Sequence, residues 1–156
     1  MTFATVGSHP TYRFERFLSA LESVSAEELV VQHGPGTPPT TAAVAAPWMT
    51  FADIACYMER AEHVVSHAGA GTILCAVRAG HVPIVFPRLR RFGETVDDHQ
   101  LELARRLAAD GTVVVVENAA DLAAALEAAP ARGAGVAADA GNDLIRAVRQ
   151  ELIVVG

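Results

Sequence analysis

Several short stretches carry residue types that can hold an anion or a polyol. The first is Ser66-His67-Ala68-Gly69-Ala70-Gly71-Thr72, where the apolar run His63-Val64-Val65 enters a glycine-rich turn and continues with helical spacing. Gly69 and Gly71 let a backbone turn tightly and come close to a ligand. At a helix start the free N–H groups point outward, with the positive end of the helix dipole behind them, and together they suit a phosphate or diphosphate. The competing reading is a turn whose glycines only let strand and helix pack closely; the local pattern does not separate the two. Neither the GxGxxG nor the GxxxxGK[ST] spacing is present, so this is not a standard dinucleotide fingerprint or P-loop.

Thr5-Val6-Gly7-Ser8-His9 ends another apolar run. Gly7 and Ser8 can offer an N–H and a hydroxyl to the same phosphate, or form an ordinary strand-to-helix turn. His9 can reach a ligand or serve as a base, or lie solvated in its loop. Glu94-Thr95-Val96-Asp97-Asp98-His99-Gln100 opens a helical run. Asp98, His99 and Gln100 supply donors and acceptors that match adjacent sugar hydroxyls, although acidic residues here also suit the helix dipole without any ligand. Arg88, Arg90 and Arg91 form a basic loop. It is a solvated loop, a phosphate contact, or a contact with an anionic surface through a partner. Gln32-His33-Gly34 is a base or ribose contact, or plain turn chemistry. Trp48, the single tryptophan, and Met49 can lie beside a nucleobase, or in the core or against a partner. Cys75 falls early in the helix after the glycine turn, where its pKa can be lowered; no base is placed beside it, and a packing role is the alternative.

These residues need a scaffold that brings them together. Apolar runs over residues 2–6, 29–32, 42–46, 63–66, 83–86 and 112–116 read as strands. Helical spacing covers residues 12–24, 51–61, 71–79, 96–109 and 119–128, with Thr50 as N-cap of the second. Short strands alternating with helices predict an α/β domain, a Rossmann-like, doubly wound parallel sheet. Ligands bind such sheets at the carboxyl ends of the strands. The four loops beginning at Gly7, Gln32, His67 and Arg88 all fall there. The Ala/Gly-rich stretch 130–141 reads as a mobile connection, and 142–152 as a last helix, within one domain over 1–156.

Composition narrows the chemistry. The 156 residues are 51% hydrophobic and 19% charged, which suits one well-buried core. A net charge of −6 argues against non-specific nucleic-acid binding. The two cysteines, Cys56 and Cys75, form no disulfide framework or zinc pattern, which points to the cytosol. There is no HExxH, no GxSxG and no metal-spaced cluster, so no metal site is expected. No leader-like opening and no apolar run of about 18 residues is seen, so membrane contact would come through a partner or a surface patch.

Taken together, the motifs resemble the C-terminal domain of glycosyltransferase family 28. The resemblance is carried by residues 66–74, Arg78-Ala79-Gly80, Pro83-Ile84-Val85-Phe86-Pro87-Arg88, residues 94–100 and Leu103-Ala104, with residues 5–10 and Gln32-His33-Gly34 in support. It covers about residues 2–128, and the length matches the family's small single-domain type. It implies the donor-binding half of a GT-B glycosyltransferase, which takes a sugar from a UDP-sugar with inversion and no tightly held metal. In the two-component members a membrane-associated subunit supplies the acceptor side, and the acceptor is lipid-linked or a polysaccharide. Residue by residue, the resemblance sets the diphosphate on Gly7, Ser8 and the backbone of Gly69, Ala70, Gly71 and Thr72. Sugar hydroxyls fall to Asp98, His99 and Gln100, and uracil falls near Trp48 and Met49. Cys75 stands where the family usually has a glutamate that holds the ribose. The general base comes from the partner, with His9 as the local candidate. A non-catalytic nucleotide-sugar-binding or regulatory subunit is the other reading, and a homo-oligomer fits the same fold.

Overall fold

The computed structural model describes residues 1–134. Six parallel strands form one sheet: β1 (Thr2–Thr5), β2 (Leu29–Gln32), β3 (Val44–Ala46), β4 (His63–Ser66), β5 (Ile84–Val85) and β6 (Val114–Val115). Their order across the sheet is β3-β2-β1-β4-β5-β6. That is the doubly wound Rossmann order, and it reverses direction between β1 and β4. The register aligns Thr5 with both Gln32 and Ser66, so three polar side chains end the central strands in one row.

Five helices cover the sheet: α1 (Glu15–Leu21), α2 (Phe51–Arg60), α3 (Ala70–Arg78), α4 (His99–Ala109) and α5 (Leu122–Ala128). Alternation along the buried strands sorts the core. Ala4, Val31, Val65 and Ile84 face α1 and α5, against Phe17, Leu18, Leu21 and Leu122. Phe3, Val30 and Val64 face the other way, against Met58 of α2 and Ala76 of α3. Val85 packs with Leu103, Ala104 and Leu107 of α4.

Thr50 caps α2 as expected, in a full capping box with Asp53. Two helices are shorter than the spacing predicts. α1 begins at Glu15 rather than near 12, because Arg88 donates to the Tyr12 and Arg13 carbonyls and His9 Nδ1 accepts from the Thr11 and Tyr12 amides. α4 begins at His99 rather than 96, because the Asp98 carboxylate accepts from the Arg90 amide and holds the turn open. Residues 119–121 form a 3-10 turn before α5. The proposed connection 130–141 starts against the end of α3, with Gly133 N donating to Gly80 O at 2.8 Å. Its remainder and the expected helix 142–152 lie outside the described residues. Among the described residues, no helix is long and apolar enough to cross a membrane.

Candidate nucleotide-sugar site

A cavity of 480 Å³ opens at the carboxyl ends of β1, β2 and β4, beside the point where the strand order reverses. Its floor is built by one buried amide. Gln32 is 2% exposed. Its Nε2 donates to Gly7 O at 3.1 Å and to Pro47 O at 2.9 Å, and its Oε1 accepts from Thr5 Oγ1 at 2.5 Å. The Thr5 hydroxyl in turn accepts from Gly7 N at 3.1 Å. Gln32 therefore fixes the Gly7-Ser8 turn relative to the loop that carries Trp48 and Met49. The expectation of a direct base or ribose contact changes accordingly: every polar atom of Gln32 is committed to the frame.

The two glycines of the 66–72 turn have different causes. A Cβ on Gly69 would lie under 3.0 Å from the His67 ring, and so would a Cβ on Gly7, whose φ of +84° already favours glycine. The imidazole is wedged between the two turns and locks them together. Its Nδ1 is buried with no hydrogen-bond partner among the described residues. Desolvation, and secondarily the Arg88 guanidinium, push the ring's pKa down to about 4, so it is neutral at pH 7. For Gly69 the packing reading holds. Gly71 is another matter: a Cβ there would meet nothing within 4 Å, and its φ is unremarkable. It lies in the first turn of α3, where the N–H groups of Ala70, Gly71 and Thr72 have no intrahelical acceptor. A side chain there would enter open space at the cavity, which Gly71 lines beside those donors.

The rest of the cavity is mostly apolar. Trp48 and Phe51 stand at its rim, 48% and 72% exposed, with Met49, Ile54, Met58, Leu74 and Cys75 along the walls. Of the residues singled out in the sequence, Gly7, Ser8, Gln32, Trp48, Met49, Gly71, Thr72 and Cys75 line this cavity together. Sequence reasoning missed Phe51, Ile54 and Met58. These share one face of α2 and read as core spacing, but only Met58 is buried.

The charged candidates lie elsewhere on the same edge. Arg88 is not a phosphate ligand or a solvated loop residue; it is 3% exposed. Its guanidinium donates to Val6 O at 3.0 Å and to the Glu94, Tyr12 and Arg13 carbonyls, and it covers the Phe14 ring at 4.4 Å. Burial lowers its pKa to about 10, so it stays charged at pH 7. Glu94 is likewise turned inward. Its carboxylate accepts from Arg16 Nε at 3.0 Å, Arg16 Nη2 at 2.8 Å and Leu89 N at 2.9 Å. Asp98 and His99 are exposed, and neither they nor Gln100 line the cavity. Gln100 Oε1 is buried without a partner. His9 is exposed, packs against Tyr12 with the ring centroids 4.6 Å apart and the planes tilted by 47°, and does not line the cavity. Among the described residues, no three His, Cys, Asp or Glu side chains converge as a metal cluster would.

Residues 1–134 match the pattern of the glycosyltransferase family 28 C-terminal domain. The chain belongs to this family. Over 55 residues it is 42% identical to a UDP-N-acetylglucosamine transferase subunit ALG13 of Yarrowia lipolytica, covering 35% of this chain and 26% of that protein. Two solved structures share the fold at 20% identity. The glycotransferase of kitacinnamycin superposes with a TM-score of 0.60 over 96% of this chain and 39% of its own. MurG of Acinetobacter baumannii superposes with a TM-score of 0.56 over 81% of this chain and 40% of its own. The chain thus spans well under half the length of these relatives, and its architecture is one Rossmann-like half of a GT-B glycosyltransferase.

Proposed function

We propose that this family 28 domain is the donor-binding part of an inverting glycosyltransferase that takes a UDP-sugar and is completed by an acceptor-side subunit. The observation that carries this reading is Gly71: an unfilled position in a helix start with three unpaired N–H groups, at the switch point of the sheet, lining a cavity with an aromatic rim. A diphosphate suits the helix start, and a base suits the rim of Trp48, Met49 and Phe51. Similarity to a UDP-N-acetylglucosamine transferase subunit supports both the UDP-sugar donor and a second component.

In the reaction an acceptor hydroxyl attacks the anomeric carbon and the nucleoside diphosphate leaves. Negative charge grows on the phosphate next to the sugar. The Ala70, Gly71 and Thr72 amides and the Ser8 hydroxyl are preorganised donors for that charge, which is where such donors contribute most. Asp98, His99 and Gln100 stand at the same edge as the sugar-side candidates. His9 Nδ1 accepts from two backbone amides, so its neutral ring carries the proton on Nε2 and presents a donor outward. We therefore assign the general base to the acceptor-side partner.

Titration calorimetry with UDP and a panel of UDP-sugars tests the reading. Binding of UDP, with sugar transfer only when a partner subunit is added, is the expected result. Binding with no transfer under any pairing would favour a regulatory subunit. Failure to bind any nucleotide would remove the reading.

A further inference from the structure

On the reading above, the nucleoside half of the donor lies between the helix start and the aromatic rim. The polar side chains lining that space are few: Thr5, Ser8, Gln32, Thr72 and the Cys75 thiol. Thr5 and Gln32 bond to each other, and both amide protons of Gln32 go to the Gly7 and Pro47 carbonyls. Ser8 and Thr72 belong to the two turns that would hold the diphosphate. Among the described residues lining the cavity, none is charged. The wall beyond the turns is Ile54, Met58, Leu74 and Cys75, and a thiol is a weak donor and a weak acceptor.

This decides how strongly a ribose can be read. A site built to bond a hydroxyl rejects the analogue lacking it by about ten-thousand-fold or more, because its own buried polar group is then left unpaired; an apolar wall discriminates by about a hundredfold at most. Among the described residues, the buried side-chain atoms without a partner are Ser66 Oγ, His67 Nδ1 and Gln100 Oε1, and none of these residues lines the cavity, so loss of the 2′-hydroxyl leaves no lining side chain unpaired. Burying that hydroxyl against Cys75 and Leu74 instead carries a desolvation cost.

We propose that the site does not read the ribose 2′-hydroxyl and accepts 2′-deoxynucleoside diphosphate sugars, of the deoxythymidine type, at least as well as ribonucleoside ones. The rim of Trp48, Met49 and Phe51 also gives the thymine methyl an apolar surface.

Calorimetry on the full chain with UDP, 2′-deoxy-UDP and dTDP tests this. The expected result is 2′-deoxy-UDP within about threefold of UDP, and dTDP equal or tighter, as an apolar wall allows. UDP binding tenfold or more tighter than 2′-deoxy-UDP would overturn the inference while leaving the donor site standing. No binding of any of the three would remove the donor site and the inference with it. The variants Cys75→Glu and Cys75→Gln, checked by thermal melting, locate the effect. Either is expected to shift the ratio toward UDP, by tenfold or more for the glutamate. An unchanged ratio in both folded variants would overturn the placement of the ribose against Cys75.

Discussion

Two regions share the carboxyl edge of this sheet and use their polar residues in opposite ways. Around β5, charge turns inward: Arg16 and Arg88 bond to the Glu94 carboxylate and carbonyl respectively, and their guanidinium groups lie over Phe86 and Phe14. Around β1 and β4, charge is missing and the backbone is left open at Gly71. The charged region is a brace, and the uncharged region is the proposed donor site. On that proposal, the diphosphate site is marked by an unfilled space at a helix start rather than by a run of arginines.

The largest expected effect comes from breaking the brace. Glu94 has 6% of its side chain exposed, and Arg16 18%, with 2.8 Å between them. Glu94→Ala leaves two inward-facing guanidinium groups, Arg16 and Arg88, without their carboxylate. Removing one partner of a buried pair costs about 3–5 kcal/mol. Urea unfolding should show that loss, with UDP affinity of the folded fraction changed by less than about threefold, under 1 kcal/mol. A small stability loss with a large affinity loss would reverse the roles assigned to the two regions.

A second test concerns the wedge between the turns. The folded pKa of His67 is about 4, below the 6.5 of an imidazole in the unfolded chain. Between those values the unfolded chain binds a proton that the folded chain does not. Stability is therefore full above pH 6.5 and falls as the pH drops from 6.5 towards 4. The slope is at most about 1.4 kcal/mol per pH unit, and the total at most about 3 kcal/mol. His81 is also lowered, chiefly by burial, and acts in the same direction. The His67→Gln variant isolates the wedge, since the difference in slope from wild type belongs to His67 alone. Parallel pH profiles would mean that the ring is solvated.

Much of this was legible in the sequence. Six apolar runs, the Thr50 cap and the glycine turn emerged in place because each depends on local chemistry: β-propensity, a capping side chain, a backbone that must bend. The inward turn of Arg88 and Glu94 was not legible. Charge in a sequence reads as surface, and only the packing of Phe14 and Phe86 shows that these groups are covered. Phe51, Ile54 and Met58 were missed for the opposite reason. A single apolar stripe on α2 runs from core to cavity, and periodicity does not tell where the core ends. Gly69 and Gly71 looked equivalent in the chain because the His67 ring separates them only in space.

Substitution of the glycines sharpens that last distinction. Gly7→Ala forces a left-handed position and meets the His67 ring, so it should destabilise by about 1–3 kcal/mol. Gly71→Ala meets no protein atom and removes backbone freedom within a helix, so it should raise stability by up to about 1 kcal/mol. The same methyl enters the space proposed for the diphosphate, and UDP affinity should fall about tenfold or more, some 1.4 kcal/mol. Thermal melting and calorimetry on one sample read both effects. A stabilised Gly71→Ala protein that still binds UDP normally would show that the unfilled position is not the diphosphate site.

The smallest effect comes from a second arginine–carboxylate pair that resembles the brace on paper. Arg105 Nη2 lies 2.8 Å from Glu117 Oε1, with its Nε at 2.9 Å. Its side chain is 60% exposed, however, and that of Glu117 32%. Water serves both groups almost as well when the pair is broken, and salt screens what remains. Arg105→Ala should cost less than about 1 kcal/mol, and less again at high salt. The hydrogen-bond lengths are nearly the same, and what separates this pair from Arg16 and Glu94 is burial, with the Leu89 amide and the Phe86 ring that come with it. If Arg105→Ala proves as costly as Glu94→Ala, burial is not what makes the β5 region a brace, and the contrast between the two halves of the sheet edge loses its physical basis.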